Sequence, residues 1–397
     1  MAIGTPIPSF TYFTPAMLAF GTGALSQLDR LIEPYEPHSI LLVASGDYID
    51  DLGITAAVKA AAQRVNPSAT LIETRDVVPN PRIDLVRTLI EQARREHVDL
   101  IIAAGGASSF DTAKAVGAGL RYDGDVWDLF TGKVQVLDTV PVGVISTIAG
   151  SGSEVSDCAV LQNGHDKRAL ETRTIIPRFA IVDPAFSATA PYHYQAAAAA
   201  DLAVGFLEPY FTAGEHIESA DRLLEGGFVA ALRAGEKYAA DPADEKNRAE
   251  LHWLSATMFN HCFLATGSEN DWTTHRIEHE IGGQFDVIHG EGIAAILPSI
   301  IRVIARRAPQ RYAQLAVRAL HVDSYDHTPL EAANELADAL ERHFKLLGLA
   351  TSLHELDIPR EAIATIAGNL THDGTSTVGN YSPLDFDDVV EILNTAW

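Results

Sequence analysis

Short apolar runs alternate with longer amphipathic stretches between about residue 39 and residue 184. The apolar runs predict strands at Ile40–Ala44, Thr70–Glu73, Asp99–Ala104 and Val142–Ile145. The amphipathic stretches predict helices over Ile54–Val65, over Ile83–Arg95 and from about Ser109. Such alternation is typical of βαβ units, which build a parallel sheet. We therefore predict that the N-terminal half is an α/β domain.

The segment before this pattern is rich in β-type residues but has no helical partner. Phe10–Phe13 and Met17–Phe20 lie on either side of Pro15. This arrangement predicts a β-hairpin at the edge of the sheet. Because an exposed edge strand is a template for pairing with another chain, we also expect a homodimer.

Beyond Pro184 the apolar positions recur with a period near 3.6, which indicates a bundle of helices. We predict helices at about Tyr194–Phe206, Ser219–Ala239, Glu245–Phe263, Gly290–Ala308, Thr328–Leu347, Arg360–Leu370 and Asp387–Ala396. The predicted domains are residues 1–186, with the N-terminal hairpin, and residues 187–397.

Charge and composition exclude several classes of partner. The chain has 53 Asp and Glu against 29 Lys and Arg, a formal net charge of −24, which repels nucleic acid and anionic membrane surfaces. Apolar runs such as Ile293–Ile301 contain Pro298 and are too short to span a bilayer. The two cysteines, Cys158 and Cys262, fit a reducing compartment, and the first residues lack the pattern of a signal peptide. We therefore expect a cytoplasmic protein.

A glycine-rich loop follows the strand that is predicted to end at Ala104. Small residues at Gly105, Gly106, Ala107 and Ser108 would let backbone amides at a helix start approach a pyrophosphate. The spacings of the Walker loop and of the six-residue Rossmann fingerprint are absent, so a tight βα turn is the alternative. In the helix that follows, Asp111 either contacts the cofactor or caps its own helix.

Two further loops follow predicted strands and carry hydroxyl, glycine or acidic residues. Thr147 and Ser151 lie in the first of them, and their side chains suit ribose or phosphate contacts, although a plain glycine-serine turn is equally compatible. Ser45, Gly46 and Asp47 lie in the second. An acidic residue there accepts hydrogen bonds from ribose and repels a 2′-phosphate, and no Lys or Arg is close in sequence. Together the loops predict a dinucleotide site that favours NAD(H) over NADP(H).

Three histidines cluster in the C-terminal half. His275 and His279 lie four positions apart on one face of a predicted helix, and His289 follows at the start of the next helix. Imidazoles so placed, together with a carboxylate, are able to bind a divalent metal. The alternative is a hydrogen-bonded histidine pair beside Glu278 and Glu280, which needs no metal.

These segments resemble the iron-activated, group III alcohol dehydrogenase family, specifically its butanol dehydrogenase and aldehyde reductase branch. The family's GGGSxxDxAK signature corresponds to residues 105–114, with Ala107 in place of a glycine. Its TGSE element corresponds to residues 151–154, with serine in place of threonine. The DWxTH…EH…HG stretch corresponds to residues 271–290, and the N-terminal FGxG turn to residues 20–23.

The resemblance implies a Rossmann-like N-terminal domain, an all-α C-terminal domain and a dehydroquinate synthase-like architecture. It implies an NAD(P)-dependent, metal-assisted oxidoreductase that interconverts a primary alcohol and an aldehyde. The family places a lysine near the cofactor, which corresponds here to Lys167, and a solvated charge is the alternative. Members that use NADP carry small residues at the positions of Ser45 and Gly46, and both residues are small here.

The resemblance also implies an Fe or Zn site with Asp201, His275 and His289 as ligands. His279 is the implied candidate for the substrate side of the metal and for relaying a proton, with packing behind the ligands as the alternative.

The family's first histidine ligand corresponds to Gly205, so three ligands remain, and Pro209 is expected to disturb the same helix. Either these three residues hold the metal, or the chain is a nucleotide-binding relative that has lost it. Gly205→His is expected to raise the affinity for metal. A lyase or synthase on the related fold is a third possibility, but the stretch over residues 271–290 favours the dehydrogenases.

Overall fold

The computed structural model describes residues 14–212, 216–258 and 270–397. These residues divide into two compact units. The first comprises residues 14–190 and 248–257. The second comprises the other described residues from Pro191 onward. Residues 248–257, which the sequence groups with the helical half, thus cluster with the first unit.

The first unit is built around a parallel sheet. Its strands are β1 (Met17–Phe20), β2 (Ser39–Ala44), β3 (Thr70–Thr74), β4 (Leu100–Gly105), β5 (Val142–Ser146), β6 (Cys158–Asn163), β7 (Asp166–Glu171) and β8 (Phe179–Val182). Its helices before residue 190 are α1 (Leu28–Ile32), α2 (Tyr48–Asp51), α3 (Ile54–Val65), α4 (Ile83–Arg95), α5 (Ala107–Gly119) and α6 (Trp127–Phe130). Six strands form the sheet, in the order β1-β8-β5-β4-β2-β3, and β6 and β7 form a separate antiparallel pair.

The centre of the sheet is buried on both faces. Every residue of β2, β4 and β5 is buried, as expected for parallel strands covered by helices on either side. The chain passes from β2 to β3 on one side and then to β4 on the other, so the strand order reverses between β2 and β4. Ligands of open α/β sheets bind at the carboxyl ends of the strands beside such a reversal.

The strands and helices predicted for this half are confirmed, whereas the edge of the sheet differs from expectation. Met17–Phe20 forms a single strand parallel to β8, with Met17 opposite Phe179. Phe10–Phe13 lies outside the described residues, so the hairpin and its pairing with a second copy stay predictions. The β6–β7 pair and β8 were not predicted: β6 and β7 are interspersed with polar and charged residues, and β8 has only four residues.

The second unit is helical in the residues that the structure describes. Its helices are α7 (Tyr192–Leu207), α8 (Glu218–Ala240), α9 (Glu245–Met258), α10 (Thr273–Phe285), α11 (His289–Ala305), α12 (Gln310–Leu320), α13 (Pro329–Leu346), α14 (Ile363–Thr371) and α15 (Phe386–Ala396). The central part of α9 belongs to the first unit. The predicted helices are confirmed within the described ranges, and α12 is an addition to them.

Helices α7 and α11 approach each other through their main chains. A Cβ atom at Gly290 would lie 1.9 Å from the carbonyl oxygen of Ala197, so only glycine fits there. Gly290 is the second residue of α11, and Ala197 lies one turn before Asp201 on α7. This contact fixes the spacing between the two helices at the level of the residues discussed below.

Across the described ranges, no helix combines the length and the apolar character needed to cross a membrane.

A buried histidine on α9 is expected to make the stability of the protein depend on pH. His252 is fully buried, and its ring nitrogens have no hydrogen-bond partner among the described residues. Burial, with the charge of Arg248, lowers the pKa of His252 to about 3. The unfolded chain therefore takes up a proton below pH 6.5 that the folded chain does not. At pH 5 this costs about 2 kcal/mol of unfolding free energy relative to pH 7.

We expect His252→Gln to reduce the loss of stability between pH 7 and pH 5 by about that amount. The measurement is urea unfolding followed by circular dichroism at both pH values. The matched control is His97→Asn, which changes an exposed histidine in the same unit. If both variants lose as much stability as the native chain on acidification, His252 is not the group that takes up the proton.

Candidate functional site

Hydroxyl groups from two loops meet at the carboxyl edge of the sheet. The phenolic oxygen of Tyr48 lies 3.0 Å from Ser45 Oγ and 3.0 Å from Thr147 Oγ1. Ser45 follows β2 and Thr147 follows β5, so Tyr48 links the two loops. The predicted residues Ser45 and Thr147 are thus brought together. Sequence reasoning missed Tyr48 because no motif includes it.

The chain has room only for glycine at Gly105, where β4 ends and the turn to α5 begins. Gly105 has φ of +142°, and a Cβ there would lie 2.6 Å from Ser45 Oγ and 2.7 Å from Ser109 Oγ. The helix begins at Ala107, so the backbone amides of Ala107 and Ser108 belong to its first turn. Ser109 Oγ is buried and has no hydrogen-bond partner in the part of the chain that the structure describes. An unpartnered hydroxyl beside a helix N-terminus suits an anionic oxygen of a ligand.

Gly106 and Gly46 complete this loop cluster. A Cβ at Gly106 would lie 2.7 Å from Cγ2 of Ile148, so a side chain is excluded there too. Gly46 has φ of +139°, and a Cβ at this position would lie 3.4 Å from the ring of Tyr48. Residues from all three predicted loops, among them Ser45, Gly105 and Thr147, therefore lie near one another at one edge of the sheet.

Asp111 and Lys114 point into the interior, where they hold the segment after β5. The Asp111 carboxylate accepts hydrogen bonds from Ser153 Oγ at 2.6 Å and from the backbone amide of Val160 at 3.0 Å. Lys114 Nζ donates to Ser153 Oγ at 2.9 Å and to the carbonyl of Cys158 at 2.7 Å. Burial raises the pKa of Asp111 and lowers that of Lys114.

The cap of α5 is Gly106, so the interpretation of Asp111 as a helix cap is wrong. A contact between Asp111 and the cofactor stays a prediction. Lys167, on β7, is half-buried. Burial raises the pKa of Asp111, and the charge of Lys167 is among those that oppose this rise.

A serine from α9 fixes the predicted loop after β5, which contains Thr147 and Ser151. Ser255 Oγ accepts hydrogen bonds from the backbone amides of Gly150 at 3.1 Å and Gly152 at 3.2 Å, and it donates to Glu154 Oε1 at 2.7 Å. Ser151, between these glycines, accepts a hydrogen bond from the amide of Ser153 at 3.3 Å. Sequence reasoning missed Ser255, which lies about a hundred positions along the chain from this loop.

The loop after β2, which contains Ser45, Gly46 and Asp47, has a cation beside it that the sequence did not indicate. Asp47 is 92% exposed, and its carboxylate lies 3.9 Å from Nε of Arg75, the residue that follows β3. No Lys or Arg is close to Asp47 in sequence, but the pairing of β2 with β3 brings Arg75 to this loop in space.

A second cluster lies within the helical unit. Asp201 is on α7, His275 is on α10 and His289 begins α11. Each offers a ligand atom, and these atoms all lie within 4.8 Å of one another. Nε2 of His275 is 3.4 Å from Asp201 Oδ1, and Nε2 of His289 is 3.8 Å from the same oxygen. The structure thus brings the three predicted ligands together.

Two buried carboxylates orient the histidine rings. Nδ1 of His275 is hydrogen-bonded to Glu208, which also accepts from the backbone amide of Thr274. Nδ1 of His289 is hydrogen-bonded to Glu278. Burial alone would lower the pKa of His275, but the negative charges of Glu208 and Asp201, together with the hydrogen bond to Glu208, outweigh it and raise the pKa to about 10.

Carboxylates commonly hold metal-ligating histidines in this way, which leaves Nε2 for the metal. Glu208 was missed by sequence reasoning, and Glu278 was considered only as a reason against a metal.

The donor set fits a divalent cation. Asp201 Oδ1 is buried and has no hydrogen-bond partner within the described ranges, although two imidazole nitrogens face it. A carboxylate oxygen and two imidazole nitrogens are ligands for Zn²⁺ and Fe²⁺. The ring of His279 lies beside this cluster, with its centroid 5.5 Å from that of His289.

The space beside Gly205, the position that the resemblance aligns with a further histidine ligand, is filled by a thioether. Gly205 lies one turn after Asp201 on α7, and a Cβ there would lie 1.9 Å from Sδ of Met258. Met258 is 1% exposed. The expectation that Gly205→His by itself raises metal affinity must therefore be revised. Pro209 lies in the turn after α7, which ends at Leu207, so the helix at Asp201 is undisturbed.

Fold and side-chain geometry together define a protein with a doubly wound α/β unit and a helical unit that presents a cluster of metal-ligand type. The model of the iron-containing alcohol dehydrogenase family matches residues 15–184, and the model of the family's C-terminal part matches residues 196–397. The chain belongs to the iron-containing alcohol dehydrogenase family. The fold class and the resemblance inferred from the motifs are confirmed, and the chain is an enzyme of this family.

Named relatives extend over almost the whole chain. It is 31% identical to "Probable NADH-dependent butanol dehydrogenase 1" of Bacillus subtilis, covering 98% of this chain and 99% of that protein. It is 25% identical to the NADPH-dependent aldehyde reductase YqhD of Escherichia coli, covering 96% and 97%. The crystal structure of NADH-dependent butanol dehydrogenase A from Thermotoga maritima superposes with a TM-score of 0.91 at 27% identity, covering 98% and 99%. The family implies a nicotinamide cofactor and a divalent metal, and its members include both NADH- and NADPH-dependent forms.

Proposed function

We propose that this chain interconverts a primary alcohol and an aldehyde by exchanging a hydride with a nicotinamide cofactor, assisted by a divalent metal. The observation that carries the proposal is the cluster of Asp201, His275 and His289, in which two imidazole nitrogens face an unpartnered buried carboxylate oxygen. Full-length similarity to named butanol dehydrogenases supports it.

In this cluster, three residues would bind the metal, and two further carboxylates orient the histidine rings. Asp201, His275 and His289 would hold Fe²⁺ or Zn²⁺. The bound ion supplies Lewis acidity, which polarises the substrate oxygen and stabilises negative charge on it. Glu208 and Glu278 hold the Nδ1 atoms of the two rings, so that Nε2 stays directed at the ligand point. His279, beside His289, relays the proton between the substrate oxygen and solvent.

The nucleotide-side residues have separate tasks. Ser45, Tyr48 and Thr147 present hydroxyl groups to the ribose and phosphates, and the first turn of α5 presents backbone amides to the pyrophosphate. The exposed carboxylate of Asp47 accepts hydrogen bonds from the adenosine ribose. We propose that NADH is bound in preference to NADPH for this reason.

The test is turnover measured together with metal content. The purified chain is stripped with a chelator and reloaded separately with Fe²⁺ and Zn²⁺. It is then assayed with NAD⁺ on short primary alcohols and with NADH on the matching aldehydes. We expect turnover that appears only with metal. Nucleotide binding without turnover in any metal form would support the alternative, a nucleotide-binding relative with a lost metal site.

Ser255→Ala is expected to weaken NADH binding by about tenfold. The loop over residues 150–154 would lose the two hydrogen bonds that its amides donate to Ser255 and the one that Glu154 accepts from Ser255, each contributing roughly 0.5 to 1.5 kcal/mol. The measurement is isothermal titration with NADH. Thr257→Ala on the same helix, which removes only a bond within the helix, is the matched control. Equal affinities in the two variants would contradict a positioning role for Ser255.

We also propose that the chain is a cytoplasmic homodimer. β1 lies at the edge of the sheet, and β8 is its strand partner within the described residues, which leaves the outer edge for a second copy. Two cysteines in 397 residues suit a reducing compartment. Light scattering at micromolar concentrations is expected to give twice the chain mass. A fully active monomer would refute the dimer, and export of the native chain to the cell exterior would refute the location.

A further inference from the structure

Arg75 lies among three carboxylates at the carboxyl ends of β2 and β3. Its Nη2 atom is 2.7 Å from Glu73 Oε2 and 3.1 Å from Asp50 Oδ1, and its Nε atom is 3.9 Å from Asp47 Oδ1. The arginine side chain is 19% exposed. One positive and three negative groups leave this acidic cluster, composed of Arg75, Asp47, Asp50 and Glu73, with a formal charge of −2.

The backbone fixes where the acidic cluster lies. Strand β3 pairs in parallel with β2, with Val43 opposite Thr74, so Arg75 leaves the sheet at the same edge as the loop over residues 45–47. Thr55, at the start of α3, donates to the Asp50 carboxylate and accepts from Nη2 of Arg75 at 3.1 Å. The guanidinium is therefore held by Asp50, Glu73 and Thr55, whereas Asp47 is 92% exposed and only loosely associated with it.

This location is where a doubly wound sheet binds the adenosine ribose of a dinucleotide. An exposed carboxylate there suits the ribose hydroxyls. A 2′-phosphate carries up to two negative charges and needs a guanidinium or ammonium partner, with which arginine pairs in a bidentate manner. A suitable guanidinium is already present, but neighbouring carboxylates neutralise its charge and occupy its donors.

We propose that Arg75 determines specificity at the 2′ position of the nucleotide, and that Asp50 and Glu73 hold it in a state that excludes a 2′-phosphate. The proposal rests on the nucleotide site of the proposed function. NADPH is rejected because of the net charge of the acidic cluster as well as the single carboxylate of Asp47. Removing carboxylates frees an arginine that is already positioned to bind the phosphate, so no new cation has to be introduced.

The experiment compares 5′-AMP with adenosine 2′,5′-bisphosphate, which differ only in the 2′-phosphate, by isothermal titration. The full-length native chain is expected to bind 5′-AMP at least tenfold more tightly. The variant Asp50→Asn/Glu73→Gln, which removes the charges of the two carboxylates that hold Arg75, is expected to gain at least tenfold in affinity for the bisphosphate. Adding Arg75→Gln to that variant is expected to abolish the gain, and higher salt to reduce it.

The matched control adds Arg64→Gln, in place of Arg75→Gln, to the same double variant. This substitution removes an exposed arginine that pairs with Asp29 in the same unit. The gain is expected to survive there. A gain that persists with Arg75→Gln, a native chain that prefers the bisphosphate, or a chain that binds neither nucleotide would each overturn the proposal. A chain that shows the Arg75-dependent gain but oxidises no alcohol would instead refute the proposed function alone.

Discussion

Replacing His275 or His289 by alanine is expected to lower kcat for alcohol oxidation by at least about a thousandfold and to leave the fold intact. Each substitution removes one of the two imidazoles proposed as ligands and leaves a single imidazole nitrogen near Asp201 Oδ1. Without the ion, negative charge on the substrate oxygen loses several kcal/mol of stabilisation, and each 1.4 kcal/mol is a factor of ten in rate. The measurement combines steady-state kinetics with metal analysis of the purified variants.

The control for these variants is His193→Ala. His193 lies on α7, is partly exposed and pairs with Glu291 at 3.1 Å, so its loss removes a histidine from the same helix as Asp201 but none from the cluster. We expect this variant to keep its metal and most of its rate. Circular dichroism separates loss of the site from loss of the fold. Native rates in both His275→Ala and His289→Ala would refute a metal mechanism.

The double variant Gly205→His/Met258→Ala is expected to bind Zn²⁺ at least about tenfold more tightly than the native chain, whereas Gly205→His alone is not. In the single variant the new Cβ would lie 1.9 Å from the sulfur of a buried methionine, so the Met258 side chain must be displaced within the core before an imidazole fits. Truncating Met258 opens the space in which an imidazole one turn after Asp201 serves as a fourth ligand. Competition with a chromophoric chelator measures the affinity without any assay of turnover.

Met258→Ala alone provides the matched comparison. It is expected to lower the unfolding free energy by about 2 to 5 kcal/mol, the usual cost of emptying a buried methionine site, without tightening metal binding. If the single variant Gly205→His binds metal as tightly as the double variant, the thioether is not the obstacle. If neither histidine variant tightens binding, position 205 does not face the ligand point.

Sequence patterns predicted the elements more completely than the site. Helices α3 and α4 begin and end where the apolar period begins and ends, because each buries one continuous stripe. The candidate ligands His275 and His289 were recognisable from their spacing in the sequence. Asp201 was placed only through the family resemblance, since it lies in an alanine-rich helix buried on most sides.

The residues that sequence reasoning missed share one property. Tyr48, Ser255, Glu208 and Arg75 act on partners that are distant in sequence or on another element, and tertiary packing alone brings them there. Met258 is the clearest case, because the sequence showed that Gly205 lacked an imidazole but not what occupied its place. A local pattern reports which side of an element is buried, and it carries no information about which distant side chain fills a given space.

The main-chain contact between Gly290 and Ala197 has a consequence for how this centre tolerates change over evolutionary time. The distance between Asp201 and His289 is set by two backbones in contact, and no ligand side chain contributes to that contact. A ligand elsewhere on α7 is therefore free to disappear while the two that remain keep their separation. Coordination number and coordination geometry are inherited independently in such a scaffold. An imidazole at position 205 is able to be lost, with Met258 of α9 filling the space beside it, while α7 and α11 keep their main-chain contact.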